Sequence, residues 1–374
     1  MADIDVQEFI EEKESYYDDS LYNITSFGSD MSFQMILMMY QQGDIEKPEL
    51  QRNYVWTKKE ASRFIDSLLL GLPVPSIFLA KTSESKLLIV DGYQRIMTVN
   101  DYINGVFSGD NSVFKLTKAD NINPSWRGKA YIELGEAQKR ALRMYTIHAI
   151  IFEQKQPKND SGMYQIFERI NTGGRTLKPQ EIRNCVYHGS FNGLLFELNK
   201  NQDWRDILAT KEPDSRMADV ELILRFFAFC GFNTVIKKQK QINLVQFLNK
   251  YMDDNRMLSD EQLLMYKDLF ERTISYLHHQ IGKNCFRTCK EKDGKIIWAK
   301  KVNPVVMDAV CVATNMAFDK FDQSYLRALD VSDKYVDLML NNDFISVTKS
   351  RTTNVENINK RIYIAAKILY GIDI

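Results

Sequence analysis

The apolar run Leu88-Ile89-Val90 stops at Asp91-Gly92, and a helical pattern opens at once with Tyr93-Gln94-Arg95. Few arrangements accommodate that order. The run predicts a buried strand and Gly92 a turn. Ile96, Val99 and Ile103, with Val106 or Phe107, then predict the buried face of a helix. A strand that feeds straight into a helix leaves backbone N–H groups and the positive end of a helix dipole beside an acid, an amide and a guanidinium. That corner suits a phosphate. The same residues also read as an ordinary Asp-Gly turn with an arginine bridging strand to helix.

The segments around the corner supply its scaffold. Met31–Gln42 predicts a helix with Asp30 as N-cap and Gly43 as stop. Pro48 keeps Ile45–Arg52 extended. Thr57 and Glu60 form a capping box, and Ala61, Phe64, Ile65, Leu68 and Leu69 share one helical face. Gly71 ends that helix, and Pro73 and Pro75 block its resumption. Ser76–Ala80 and Lys86–Val90 flank a polar turn and predict a hairpin. Gly135–Met144 predicts a helix, Tyr145–Phe152 a strand and Ser161–Ile170 a helix. The glycine-rich loop Asn171-Thr172-Gly173-Gly174-Arg175 follows, then a helix with Pro179 at its first position and Glu181 in its first turn. From Ser190 onward strand signals nearly vanish. Leu194–Leu198, Ala218–Phe229, Leu244–Met252, Asp260–His279, Pro304–Phe318, Tyr325–Met339 and Val355–Tyr370 read as helices. The expected fold class is α+β: an acidic leader over 1–29, a mixed domain over 30–189 and an all-α domain over 190–374.

Charge narrows the function classes little. Lys+Arg and Asp+Glu are both 49, so net charge points to neither nucleic acid nor membrane. Charge is uneven, however. Residues 1–20 hold eight acids against Lys13, which reads as a solvated leader, and Ile281–Lys301 hold seven bases against two acids. In that basic segment Phe286 and Trp298 interleave with the cations, a pattern that serves nucleic acid or merely a solvated hairpin. The polar stretch Thr348–Asn354 reads as a phosphate-closing loop or as a linker with an N-cap. No Walker A sequence, Gly-x-Ser-x-Gly elbow or His-Glu-x-x-His pair occurs. The five scattered cysteines, without a secretory signal, are expected to be reduced thiols of a cytoplasmic protein. A zinc site from His278, His279, Cys285 and Cys289 has uncommon spacing. No apolar run spans a bilayer.

Three polar clusters interrupt apolar segments: Gln51-Arg52, Asp91–Arg95 and Asn171–Arg175. Together they offer guanidinium groups, glycines for close backbone approach, and carboxylate for a metal or a water. Gln51–Trp56, Ile65-Asp66-Ser67-Leu68, Gly71–Pro75, Val90–Arg95 and Phe167–Gly174, followed by Leu177, Glu181, Arg183 and Asn184, closely resemble the N-terminal domain family of GmrSD-type restriction systems. Arg216–Leu222 and Arg225 look like a continuation seen in stand-alone relatives. The resemblance implies a ParB/sulfiredoxin-like domain that binds and hydrolyses a nucleoside triphosphate, with Mg²⁺ as a potential companion, coupled to DNA cleavage. By position, Asp91, Gln94 and Arg95 would be the catalytic core. Arg52, Gly92, Tyr93, Asn171, Thr172, Gly173, Gly174 and Arg175 would bind the nucleotide. The family motif reads Asp-Gly-Gln-Gln-Arg, and here Tyr93 stands at the first Gln. No histidine follows His279, so an HNH nuclease is expected from another chain if at all.

Three readings follow: a nucleotide-binding, NTP-hydrolysing defence protein that acts on or senses DNA; a metal-dependent nuclease with Asp91, Glu168 or Glu181 as ligands; and a non-enzymatic DNA-binding module.

Overall fold

A computed structural model describes residues 23–47, 56–82, 85–156, 161–170, 178–231 and 240–373. The chain divides into two compact units. One gathers Asp19–Leu177 with Asn184–Val186, the other Lys178–Arg183 with Tyr187–Ile374.

The first unit is built on a five-stranded sheet in the order β1-β7-β3-β4-β2. Its strands are β1 (Asn23–Ser32), β2 (Ile45–Glu46), β3 (Ile77–Lys81), β4 (Leu87–Asp91) and β7 (Thr146–Gln156); β5 (Val106–Phe107) and β6 (Ser112–Val113) form a separate ribbon. The expected hairpin is present as the antiparallel β3–β4 pair. β2 runs parallel to β4, and β3 parallel to β7. Helices α1 (Phe33–Gln42), α2 (Lys58–Leu69), α3 (Tyr93–Asn104) and α4 (Glu136–Met144) pack with the sheet around one core, in which Phe33, Ile65, Ile77, Leu79, Ile89, Ile96, Val99 and Ile147 are all but inaccessible. The Thr57–Glu60 capping box opens α2 as expected, and Ala61, Phe64, Ile65 and Leu68 are its buried face.

Three expectations in this unit are corrected. Residues 23–29 belong to β1 rather than to a leader, because they pair with β7 from Asn23↔Gln156 to Ser32↔Thr146. That pairing keeps Asp30 extended, bonded to His148 Nδ1 at 2.7 Å, so Ser32 caps α1 instead, its hydroxyl accepting from Met35 N at 3.2 Å. Helix α3 ends at Asn104 because Gly105 turns left-handed (φ 81°), and Val106 and Phe107 leave it as β5.

The second unit is helical. It contains most of α6 (Pro179–Val186), then α7 (Ser190–Leu198), α8 (Gln202–Leu208), α9 (Ala218–Cys230), α10 (Leu244–Asp254), α11 (Asp260–Ile281), α12 (Pro304–Lys320), α13 (Gln323–Ala328), α14 (Ser332–Leu340), α15 (Asn342–Lys349) and α16 (Val355–Tyr370). α5 (Ser161–Ile170) belongs to the first unit. α12 is buried on every side over its first 11 residues, Asp308 and Thr314 included. α9 and α16 pack on it. The single helix expected over Tyr325–Met339 is two, α13 and α14. α13 stops at Ala328, where Leu329 turns extended. The basic segment forms a hairpin, β8 (Cys289–Lys292) with β9 (Lys295–Trp298). Asn354 is the N-cap of α16.

Candidate functional site

β4 carries Asp91 as its last residue, and Gly92 is the N-cap of α3. Glycine is required there twice over. Its φ is 101°, and a Cβ would lie 2.4 Å from Cγ2 of Ile77. With no side chain at the cap, no side-chain hydrogen bond closes the first turn of α3 among the described residues.

Arg95 turns back from that first turn. Its Nη2 donates to Asp91 Oδ2 at 3.0 Å and its Nη1 to the Ser76 carbonyl at 2.9 Å. The arginine side chain is 16 % exposed and the aspartate 40 %, so the pair lies at the edge of solvent with the carboxylate outermost. Gln94 reaches the segment before α2, its Oε1 accepting from Trp56 N at 3.3 Å. The motif thus ties the start of β3, the end of β4 and the approach to α2 into one corner.

Tyr93 is half-buried. Burial, then the neighbouring Tyr40 and Asp101, push its phenol pKa up, so it is a neutral donor. The Lys47 ammonium sits 4.6 Å from the centre of its ring. Lys47 arrives there because β2 and β4 are parallel and end on the same side of the sheet. Burial holds its pKa below the usual lysine range, with Cys185 acting in the opposite direction. It has no carboxylate partner among the described residues. Lys47 and Ser76 escaped the sequence reading because β2–β4 pairing and the return of Arg95 are tertiary facts. Parallel strands outside whose carboxyl ends a cleft can form are the usual place for a ligand in open sheets.

Arg52, and Asn171, Thr172, Gly173, Gly174 and Arg175, lie outside the described residues, as does Gln51. Two other residues that carried the resemblance, Glu181 and Arg183, have interior roles. Glu181 is buried in the helical unit, accepting from Lys178 N at 2.6 Å and pairing with Arg216 Nη2 at 2.8 Å. Arg183 is 1 % exposed, donates to Gln180 Oε1 at 2.7 Å and pairs with Glu221. Cys285 is buried and His278 bonds Asp203 at 2.9 Å; among the described residues no group of three His, Cys, Asp or Glu could hold a metal ion. Among them, too, no helix is long and apolar enough to cross a membrane.

No curated protein and no solved structure matches the chain. Residues 33–188 match the family model described as GmrSD restriction endonuclease, N-terminal domain. That span covers the α1–α4 core and the whole Asp91–Arg95 corner. Over residues 33–188 the chain is thus similar to the N-terminal domain of the GmrSD restriction endonucleases, a likeness that points to a restriction-type defence system.

Proposed function

We propose that the first unit binds a nucleoside triphosphate at the β4–α3 corner, and that the chain uses this site in a restriction-type defence system that acts on or senses DNA. The observation that supports it best is the gathering of positive elements: the N-terminus of α3 with no side-chain cap, the Arg95 guanidinium, and Lys47 with no carboxylate partner among the described residues. A polyphosphate satisfies all three, since helix N-terminal N–H groups and arginine forks both favour phosphate oxygens. Tyr93 offers a neutral hydroxyl and a ring already engaged by Lys47. Asp91 is the carboxylate available to a Mg²⁺ that accompanies the phosphates. Hydrolysis, and a nuclease supplied by another chain, are further parts of the proposal.

A thermal-shift screen with ATP, GTP, CTP and UTP, with and without Mg²⁺, tests the binding. Ligand at ~100 times its dissociation constant stabilises by about 2.7 kcal/mol, a shift of several degrees. Arg95→Ala and Lys47→Met each remove a charged contact and are expected to weaken binding at least ~10-fold. No shift with any of these nucleotides sinks the reading. Phosphate release by the purified chain tests turnover.

The Lys47 environment adds a pH signature. Only the ammonium attracts phosphate, and its folded pKa lies below the ordinary lysine value. Nucleotide affinity is therefore expected to fall, as pH rises, earlier than an ordinary lysine would allow. Lys47→Met is expected to lack that decline, and titrations of both proteins across the alkaline range check it.

A further inference from the structure

The helical unit contains a cavity of about 480 Å³ framed by the β8–β9 hairpin, α14 and α15. We infer that it binds a nucleobase carrying a phosphate. Its volume lies within the roughly 300–1,000 Å³ typical of small-molecule sites. Its inner wall is apolar and fixed. Met339 of α14 and Phe344 of α15 are buried. Trp298 of β9 lies 14° from parallel with Tyr335, ring centres 5.8 Å apart. Tyr335 is itself fully buried, with its hydroxyl donating to the Arg287 carbonyl at 3.2 Å. The indole is thus held in one plane before any ligand arrives.

The mouth is cationic. Lys290 from β8 and Lys349 from the end of α15 line the cavity, both are exposed, and neither pairs with a carboxylate among the described residues. No aspartate or glutamate lines it. An apolar wall that includes Trp298, with two lysines at the rim, fits a ligand with a planar apolar part and an anionic part. Stacking on an aromatic side chain is worth ~1–3 kcal/mol per base, and lysines at the rim meet phosphate. A hydrocarbon chain would fill the wall but strip water from both lysines without pairing them.

The same geometry revises the basic segment read from sequence. Phe286 is fully buried, and Arg287 is held inside by the Ile207 carbonyl at 2.8 Å and the Lys300 carbonyl at 3.1 Å. Neither is available to a base. Trp298 and Lys290 of the segment line the cavity. The cavity shares no lining residue with the β4–α3 corner.

The test is equilibrium binding of the full chain to two probes. One is a short fluorescein-labelled single-stranded oligodeoxynucleotide and the other is adenosine 5′-monophosphate. Lys290→Ala/Lys349→Ala, at exposed positions that leave the core intact, is expected to weaken binding at least ~10-fold. It should also flatten the salt dependence of the oligonucleotide by about 1.4 in log–log slope, two phosphate contacts on a single strand. Trp298→Leu is expected to lose ~5–150-fold, and an oligonucleotide of abasic residues should lose the same factor on the native chain. Binding of the monophosphate assigns the cavity to a free nucleotide, and binding of the oligonucleotide alone assigns it to a strand. No binding of either probe by the native chain overturns the inference. So does binding that ignores the double lysine variant or that is as tight for abasic strands.

Discussion

Asp308→Ala is expected to destabilise the helical unit by about 3–5 kcal/mol, the cost of stranding buried charge. Asp308 is 1 % exposed near the start of α12. Arg225 of α9 grips it with both Nε, at 3.2 Å, and Nη2, at 2.7 Å, and Arg361 of α16 approaches to 3.5 Å. Both guanidiniums also face the Phe229 ring, at 5.7 and 5.9 Å. Removing the carboxylate takes away the anion that both buried arginines face. Removing all three charges is a different experiment. Asp308→Leu/Arg225→Met/Arg361→Met is expected to cost much less than the single change, because a buried ion cluster is strongly unfavourable to break but often near-neutral to replace. Urea titrations followed by circular dichroism would compare the two. A loss below ~1 kcal/mol for Asp308→Ala would show that the cluster is wetter or looser than its geometry implies.

Gly92→Ala is expected to cost about 2–6 kcal/mol in the first unit and to abolish any nucleotide-induced stabilisation. Two penalties add. A non-glycine residue held at φ 101° carries ~1–3 kcal/mol of backbone strain. A Cβ 2.4 Å from Ile77 Cγ2 and 2.8 Å from Ile77 Cβ forces the strand below to move, at ~1–3 kcal/mol. Ile77 is fully buried at the start of β3, so it has nowhere to retreat. Adding Ile77→Ala removes the 2.4 Å contact but keeps Cβ at 2.8 Å, so it should relieve the clash only in part, leave the strain, and bring its own cavity penalty. A thermal melt of Gly92→Ala within a degree of the native protein would refute the argument. A variant that folds when cold yet still shows the full nucleotide shift would remove the corner from the proposed site.

The corner itself was legible because local rules suffice for it. An apolar run, Asp-Gly and an amphipathic restart specify strand, turn and helix without knowledge of any other segment, and the Thr57 capping box is equally local. What surrounds the corner was not legible. β1 has no strong strand pattern, with Gly28, Ser29 and Asp30 in its middle, and it exists because β7 offers it an edge. Lys47 reads as one more polar residue before a proline until β2 docks beside β4. Arg183 and Glu181 resemble site residues in a motif. Their burial against Glu221 and Arg216 comes from helix packing, which no spacing encodes. In the helical unit the periodicity located most helices but merged α13 with α14, since both carry apolar residues at helical intervals across the extended link at Leu329.

The ion cluster on α12 also sets an order on the making of the protein. Asp308 and Arg225 leave the ribosome well before Arg361, which emerges roughly 50 residues after Asp308, a wait of several seconds at ~5–20 residues per second. During that interval α12, whose first 11 residues are buried on every side in the finished fold, has no α16 to cover it. The nascent helical unit is then a target for chaperone capture, and a message truncated before Val355 would leave it in that state permanently.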